Sequence, residues 1–337
     1  MAVGFLSDFI KYTSDHTYQK TTVESYSANG YPLVLIGMTW NTLNECHSKS
    51  DKYKFSNNPF DLDEIGYEQR KRAQLKFLSR EMQSKSLDFI VLQEVDIFTG
   101  ELPKFVEDFL MKLHSNNWGT VHSKPLDDLN MPLLTLYSKS KLEFVSQRAI
   151  FPRDSDGKKC ALEATFIYEN TGETVCIVNM HLDYETDHSD AILSYQQDQI
   201  VAGKFTVIGG DVNHQHRYPN MAGNKLIPSC ITNPDTEPKR TGKELLERLD
   251  GFMASPPSSD ATVTIIEGVC GYFKWVEPSK IKTFLRNNPI DIPEGKFVYK
   301  ILKPNDRLGN ATHLSKPGAP FVIPEAAHLV IISHNKN

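Results

Sequence analysis

Apolar runs of strand length alternate along the chain with amphipathic stretches of helix length. The apolar runs predict strands at 32–40, 88–93, 133–138, 161–169, 174–180 and 204–210, and two more at 248–254 and 328–333. Apolar residues at helical spacing predict helices at 64–84 and 103–114, and a third helix is expected near 188–202. Turn-forming residues at 170–172 predict a hairpin. Helices between groups of strands indicate an α/β fold, a four-layer sandwich of two stacked mixed β-sheets flanked by helices.

The pattern is weakest at two places. Residues 1–32 form a polar lead-in whose structure the pattern does not predict, ahead of a single domain at 33–337. The stretch 256–324 is rich in proline and lysine. This stretch is interpreted either as an insertion or elaboration beside an active site, or as extra strands and loops of the core.

Composition narrows the class of protein. The chain has 337 residues and a formal net charge of -5, which argues against an extended footprint on duplex DNA. Its five cysteines are odd in number and lack C-x-x-C spacing, which disfavours a disulfide scaffold and indicates a reducing compartment. The sequence shows neither a signal-peptide pattern nor an apolar run near the ~20 residues of a membrane span. We expect a cytoplasmic monomer without a transmembrane segment, although export by a signal-less route would leave no mark in the sequence.

Polar residues stand where the predicted strands end. Asn41, Glu94, His181, Asp211 and Asn213 each follow an apolar run. The oxygen ligands of Glu94 and Asn41 suit a hard cation such as Mg²⁺, with Mn²⁺ as the alternative ion. Asp211 is suited to orient or deprotonate a water, and Asn213 to donate a hydrogen bond to a phosphoryl oxygen. Taken singly, each residue is equally typical of a turn or a solvated strand end.

Five short motifs occur in a fixed order. They are TWN (39–41), LQEVD (92–96), NMHL (179–182), GDVN (210–213) and RLDGFMAS (248–255). In order and setting they resemble the endonuclease/exonuclease/phosphatase superfamily, whose fold is DNase I-like. The WNTLN and DFIVLQEVD segments are most similar to the deadenylase and nocturnin branch. The resemblance covers residues 33–255 and the last strand.

The resemblance implies roles for the strand-end residues. Glu94 would be the main metal ligand, with Asn41 beside it. Asp211 would align the nucleophilic water and Asn213 would bind the phosphate. His181 would contact the scissile phosphate from the opposite wall.

The end of the chain departs from the superfamily pattern. The resemblance implies that His328 hydrogen-bonds a phosphoryl oxygen or moves a proton, and that Asp250 holds its ring. Ala326 and Ala327 stand where the superfamily has Ser-Asp, so a carboxylate that helps position the metal is missing. We therefore expect weakened Mg²⁺ affinity, or a metal held by Glu94 with fewer protein ligands. His334 is the competing candidate for the terminal histidine.

Two further groups of residues allow two interpretations each. His214 and His216 follow the GDVN motif and indicate either a zinc site or a loop that contacts substrate. Lys274, Trp275 and Lys282 form either a solvated face or a basic and aromatic wall for a base or headgroup.

These observations predict an Mg²⁺-dependent phosphoesterase that uses metal-assisted in-line attack of water. The resemblance favours RNA 3′ ends or nucleotides as substrates, and a lipid headgroup is also considered. One alternative is a phosphatase for phosphoinositides or other small molecules, or a sphingomyelinase-like phosphodiesterase. Another is a catalytically weakened member of the fold that binds a phosphorylated ligand or a protein.

Overall fold

The computed structural model describes residues 19–27, 30–42, 64–84, 86–95, 104–123, 133–150, 160–182, 188–212, 250–255, 262–268, 274–276, 296–302 and 328–335. Three helices lie within these ranges: α1 (Glu64–Gln83), α2 (Lys104–Ser115) and α3 (Ser189–Val201). None of these helices is long and apolar enough to cross a membrane.

The first sheet contains six strands in the order β11-β1-β2-β3-β5-β4. Their bounds are β1 Gln19–Tyr26, β2 Pro32–Asn41, β3 Phe89–Gln93, β4 Trp118–His122, β5 Leu134–Ser138 and β11 Thr262–Gly268. Strands β2 and β3 are parallel, and the other neighbours in this sheet are antiparallel. The first sheet is therefore mixed, as predicted.

The second sheet contains five consecutive strands in the order β10-β9-β8-β7-β6. Their bounds are β6 Leu142–Ala149, β7 Cys160–Tyr168, β8 Glu173–His181, β9 Phe205–Asp211 and β10 Asp250–Ser255. Strands β8 and β9 are parallel and the remaining pairs are antiparallel, including the predicted β7–β8 hairpin. A third, antiparallel sheet has the order β12-β14-β13, with β12 Lys274–Val276, β13 Lys296–Leu302 and β14 His328–Asn335.

Three buried apolar clusters separate four layers. Between the two sheets, Phe89 packs edge-on against Phe252 with ring centroids 5.8 Å apart. On the outer face of the first sheet, Trp40 meets Phe77 of α1 with centroids 5.6 Å apart. On the outer face of the second sheet, Ile192 of α3 joins the third cluster. The prediction of a four-layer α/β sandwich is confirmed.

Two segments outside the clearest sequence pattern contribute strands to the first sheet. Strand β1 lies within residues 1–32, and it pairs with both β2 and β11. Strand β11 lies within 256–324 and pairs with β1 at the edge of the same sheet. The boundary of the domain therefore includes at least part of the first 32 residues.

A polar cluster lies between α3 and the second sheet. Glu163 accepts two hydrogen bonds from Arg148, at 2.9 and 3.0 Å, and one from the hydroxyl of Tyr195. Burial alone would raise the pKa of Glu163, but the hydrogen bonds from Arg148 and Tyr195 together outweigh it and hold that pKa below its ordinary value. The thiol of Cys176 is buried nearby, and burial raises its pKa.

Candidate active site at the strand ends of two sheets

The first and second sheets each contain one parallel pair of strands. Two of the predicted site residues lie at the end of each pair. In the first sheet, Asn41 of β2 lies opposite Gln93 of β3, and Glu94 follows directly. In the second sheet, His181 of β8 lies opposite Asp211 of β9. Because the carboxyl ends of parallel strands meet at one edge, each pair brings its two functional side chains together.

The inner faces of these strands change from apolar to polar toward that edge. Side chains alternate along a strand, so every second residue faces the other sheet. On β3, Phe89 and Val91 belong to the core between the sheets. On β9, Phe205 and Val207 belong to the same core. The alternation then places polar side chains, among them Asp211, on the inner face where the strands end.

Four side chains from the two sheets meet at this edge. The amide Nδ2 of Asn41 donates to Glu94 Oε1 and to Asp211 Oδ2, both at 3.0 Å. The imidazole Nε2 of His181 lies 3.5 Å from Glu94 Oε1 and 3.7 Å from Asp211 Oδ2. The structure therefore brings together four of the residues predicted from the sequence.

Burial sets the electrostatics of the cluster. Asn41, His181 and Asp211 are at most 1% exposed, and Glu94 is 6% exposed. Two carboxylates buried side by side are costly unless donors or a cation compensate them. The Asn41 amide donates to both carboxylates, and the His181 imidazole lies within 3.7 Å of each.

The donor set fits a hard cation held by few protein ligands. Carboxylate oxygens suit Mg²⁺, which keeps several waters and depends on substrate phosphates for the rest of its coordination. Within the described ranges, no group of three or more His, Cys, Asp and Glu side chains is arranged to hold a metal by itself. Asn41 reaches both carboxylates through its amide nitrogen, so it acts in this arrangement as a hydrogen-bond donor.

Glu94 has an unusual backbone conformation. Its φ is 55°, in the left-handed region that residues other than glycine rarely adopt. Thr42 holds the turn, because its hydroxyl donates to the carbonyl oxygens of Gln93 at 3.0 Å and Glu94 at 3.3 Å. From α1, Gln74 donates to the carbonyl of Thr42 at 3.1 Å. Backbone strain maintained by such contacts is typical of functional sites.

The glycine before Asp211 allows β9 to approach β8 closely. Gly210 has φ 145°, and a Cβ atom at this position would lie 2.0 Å from the carbonyl oxygen of Met180. No side chain fits without moving one strand end away from the other. The glycine at 210 is therefore explained by the close contact that positions Asp211 beside His181.

The remaining predicted residues lie on other strands or outside the described residues. Asp250 begins β10 and stands opposite Asp211 in the antiparallel register, so its backbone lies at the same edge. His328 begins β14 and stands opposite Val276 in the third sheet. Lys274 and Trp275 belong to β12 of that sheet. The positions outside the described residues are Asn213, His214, His216, Lys282, Ala326 and Ala327.

Some of the polar residues that support the site carry no sequence signal of their own. Thr42 and Gln74 hold the turn at Glu94 and belong to no motif that predicts this role. Gln93 and Asn179 lie within the LQEVD and NMHL motifs, in which the resemblance implies roles only for Glu94 and His181. Their position in otherwise apolar strands was the available signal, because a buried amide requires hydrogen-bond partners.

No protein-family model matches the chain, and no curated protein sequence matches it significantly. Several solved structures are similar in fold. The catalytic domain of human Nocturnin has a TM-score of 0.43 and 16% identity, over 68% of this chain and 92% of that chain. The mannosyl-6-phosphatase Bt3783 of Bacteroides thetaiotaomicron has a TM-score of 0.42 and 13% identity, over 77% and 89% respectively.

A Bacteroides vulgatus protein described as an endonuclease/exonuclease/phosphatase has a TM-score of 0.39 and 14% identity, over 77% of this chain and 89% of that chain. It bears the name of the superfamily that the sequence motifs resemble.

Proposed function

We propose that the chain is an Mg²⁺-dependent phosphoesterase that hydrolyses a phosphodiester or phosphomonoester. The observation that carries the proposal is the convergence of four side chains at one edge, where Asn41 and His181 each lie 3.0–3.7 Å from the carboxylates of Glu94 and Asp211. Buried acidic, amide and imidazole groups in one cluster are the parts that hydrolysis of a phosphate ester requires.

Each residue has a role that follows from its contacts. Glu94 is the proposed metal ligand, and a bound Mg²⁺ would supply neutralisation of the charge that develops on the phosphate. Asp211 accepts hydrogen bonds, so it is suited to align the attacking water and take its proton. His181 presents Nε2 toward the same point and is suited to donate to a phosphoryl oxygen. Asn41 holds the two carboxylates in place through one amide nitrogen.

The motifs most similar to the deadenylase branch favour RNA 3′ ends or nucleotides as substrates. The proposed roles of Asn213 in phosphate binding, and of His328 held by Asp250, come from the same resemblance. Lys274, Trp275 and Lys282 remain candidates for contacts with a base or headgroup.

The test is release of phosphate, nucleotide or, from sphingomyelin, phosphocholine with Mg²⁺ and, separately, with Mn²⁺. The substrates are poly(A) RNA, single- and double-stranded DNA, NADP, phosphoinositides and sphingomyelin. The inactive variant is Glu94→Gln, which keeps the size of the side chain and removes its charge. The matched control is Glu163→Gln, which changes a buried glutamate beneath α3 instead of at the site.

We expect turnover of one substrate class, a loss of more than about 100-fold in Glu94→Gln and near wild-type activity in Glu163→Gln. Equal activity in wild type and Glu94→Gln would show that the cluster does not carry the reaction. No turnover by the wild type of any substrate in the panel would contradict the proposed hydrolysis. Turnover confined to phosphoinositides or sphingomyelin would replace the nucleotide preference with a lipid headgroup.

A further inference from the structure

The two halves of the candidate site belong to different sheets. Asn41 and Glu94 follow strands of the first sheet, while His181 and Asp211 belong to strands of the second. Their mutual distances therefore depend on how the sheets sit against each other. The cluster between the sheets is apolar, and apolar packing is not directional. Directional contacts such as hydrogen bonds are needed to fix the relative position of the sheets near the site.

A pair of buried amides makes such contacts directly behind the site. Gln93 of the first sheet and Asn179 of the second are both fully buried. Gln93 Nε2 donates to Asn179 Oδ1 at 2.8 Å. Asn179 Nδ2 donates to the backbone carbonyls of Leu92 and Leu134, both at 3.0 Å. We refer to Gln93 and Asn179 as the amide clamp.

The hydrogen bonds of the clamp permit only one orientation of each amide. The carbonyls of Leu92 and Leu134 accept hydrogen bonds and cannot donate, so Asn179 must present its nitrogen to them. Its oxygen then faces Gln93, which must present its own nitrogen. The carbonyls belong to the last residue pair of the β3–β5 ladder, so the clamp holds the end of β3 against β8.

The clamp is adjacent to the functional side chains in the chain and in space. Gln93 directly precedes Glu94, whose left-handed backbone begins at that point. Asn179 lies two residues before His181 and shares its face of β8. Moving the clamp by a fraction of an ångström would change the separation of Glu94 from His181, which is 3.5 Å.

We propose that Gln93 and Asn179 are positioning residues that set the distance between the Glu94 and His181 sides of the site, and with it Mg²⁺ affinity. This inference rests on the proposed function for its metal readout. Both side chains of the clamp are fully buried behind the site. The clamp therefore acts through the sheet position that it imposes on Glu94 and His181.

The test variant is Gln93→Met, which keeps an unbranched side chain of similar length and removes the donor to Asn179. Asn179 is kept because its amide also donates hydrogen bonds to two backbone carbonyls, and its loss would endanger folding. The matched control is Tyr168→Phe. Tyr168 makes another hydrogen bond between the sheets, from its hydroxyl to the carbonyl of Val34 at 3.2 Å. Val34 lies seven residues before Asn41 on β2, about 23 Å from the site end of the strand.

The measurements are Mg²⁺ binding by calorimetry with the metal alone, kcat and KM, and the thermal midpoint. We expect Gln93→Met to weaken Mg²⁺ binding by about 10-fold or more and to lower kcat, with KM within about twofold of wild type. Tyr168→Phe should lower the thermal midpoint by about as much as Gln93→Met does. Its Mg²⁺ binding and kcat should stay at their wild-type values. Equal Mg²⁺ binding in wild type and Gln93→Met, or equal losses in the two variants, would overturn the clamp.

Failure of the proposed function has a separate signature. If the wild type neither binds Mg²⁺ nor turns over a substrate, the side-chain amide resonances of Asn41 report on the clamp instead. Asn41 bridges the two sheets, so those resonances should move in Gln93→Met and stay in place in Tyr168→Phe. Unchanged resonances in Gln93→Met would overturn the clamp independently of any activity.

Discussion

The left-handed backbone at Glu94 predicts an inverted order of stability between two substitutions. For an L-residue this conformation costs roughly 1–2 kcal/mol, whereas glycine adopts it freely. Glycine in turn loses about 0.5–1 kcal/mol more conformational entropy on folding than alanine does. Because φ is 55° at this position, Glu94→Gly should be more stable than Glu94→Ala by about 1 kcal/mol. Removal of the carboxylate is common to both variants and cancels in the comparison.

The assay is urea unfolding of both variants followed by tryptophan fluorescence, with thermal scans as a second readout. For a chain of this size, 1 kcal/mol corresponds to about 2 °C in the thermal midpoint. Lys76 provides the control, since it is exposed on α1 and glycine there should be less stable than alanine by about 1 kcal/mol. Equal stability of the Glu94 pair, or the same order as at Lys76, would refute the strain at Glu94.

Three further predictions concern the second sheet. Gly210→Ala should lower the free energy of unfolding by at least about 3 kcal/mol, because its Cβ would overlap the Met180 carbonyl oxygen; a loss under about 1 kcal/mol in urea unfolding would contradict the close contact. Glu163→Gln should lower stability by about 1–2 kcal/mol at neutral pH, since it removes a carboxylate that is hydrogen-bonded to the partly exposed Arg148. The pKa of Glu163 is lowered on folding, so that contribution is present above the ordinary value of 4.5 and disappears as pH falls through the lower folded pKa. The difference in free energy of unfolding between wild type and Glu163→Gln should therefore shrink in acid. A difference that grows below pH 4.5 would contradict the lowered pKa of Glu163. Cys176 should resist iodoacetamide in the folded protein and react in urea, because its thiol is buried and burial raises its pKa; rapid labelling of the native protein, mapped by mass spectrometry, would contradict its burial.

Most of the fold could be predicted because the strands beside the site are apolar on both faces. Strand β3 is buried at all five positions and β9 at all seven, so the runs FIVLQ and FTVIGGD stand out in the sequence. The same property located four site residues, since each apolar run ends in a polar residue at the common edge. Asp211, for example, is predictable as the polar end of a fully buried strand.

Strand β1 could not be predicted because its buried face is mostly polar. Thr21, Val23 and Ser25 alternate as buried residues along the strand, yet two of the three are hydroxyl residues. The burial has the period of a strand and the hydrophobicity does not. The strand is stabilised by pairing with β2 and β11, and this pairing leaves no hydrophobic pattern in the sequence.

The amide clamp could not be predicted because it joins residues 86 positions apart on strands of different sheets. A single sequence indicates that Asn179 needs a partner, but it does not identify Gln93 as that partner. The left-handed conformation of Glu94 is likewise absent from the pattern, since glutamate is a residue that disfavours it.

The division of the site between two sheets also has a consequence for synthesis on the ribosome. Strands β1 to β5 are complete at Ser138, whereas Asp211 ends β9 in the second sheet. At about 5–20 residues per second, the intervening stretch of about 70 residues takes roughly 4–15 s to translate. During that interval the nascent chain carries Asn41 and Glu94 without Asp211, and the second sheet that covers the apolar inner face of the first is still incomplete. Chaperone contact with the nascent chain is therefore expected in this window, and the two halves of the candidate site are synthesised one after the other.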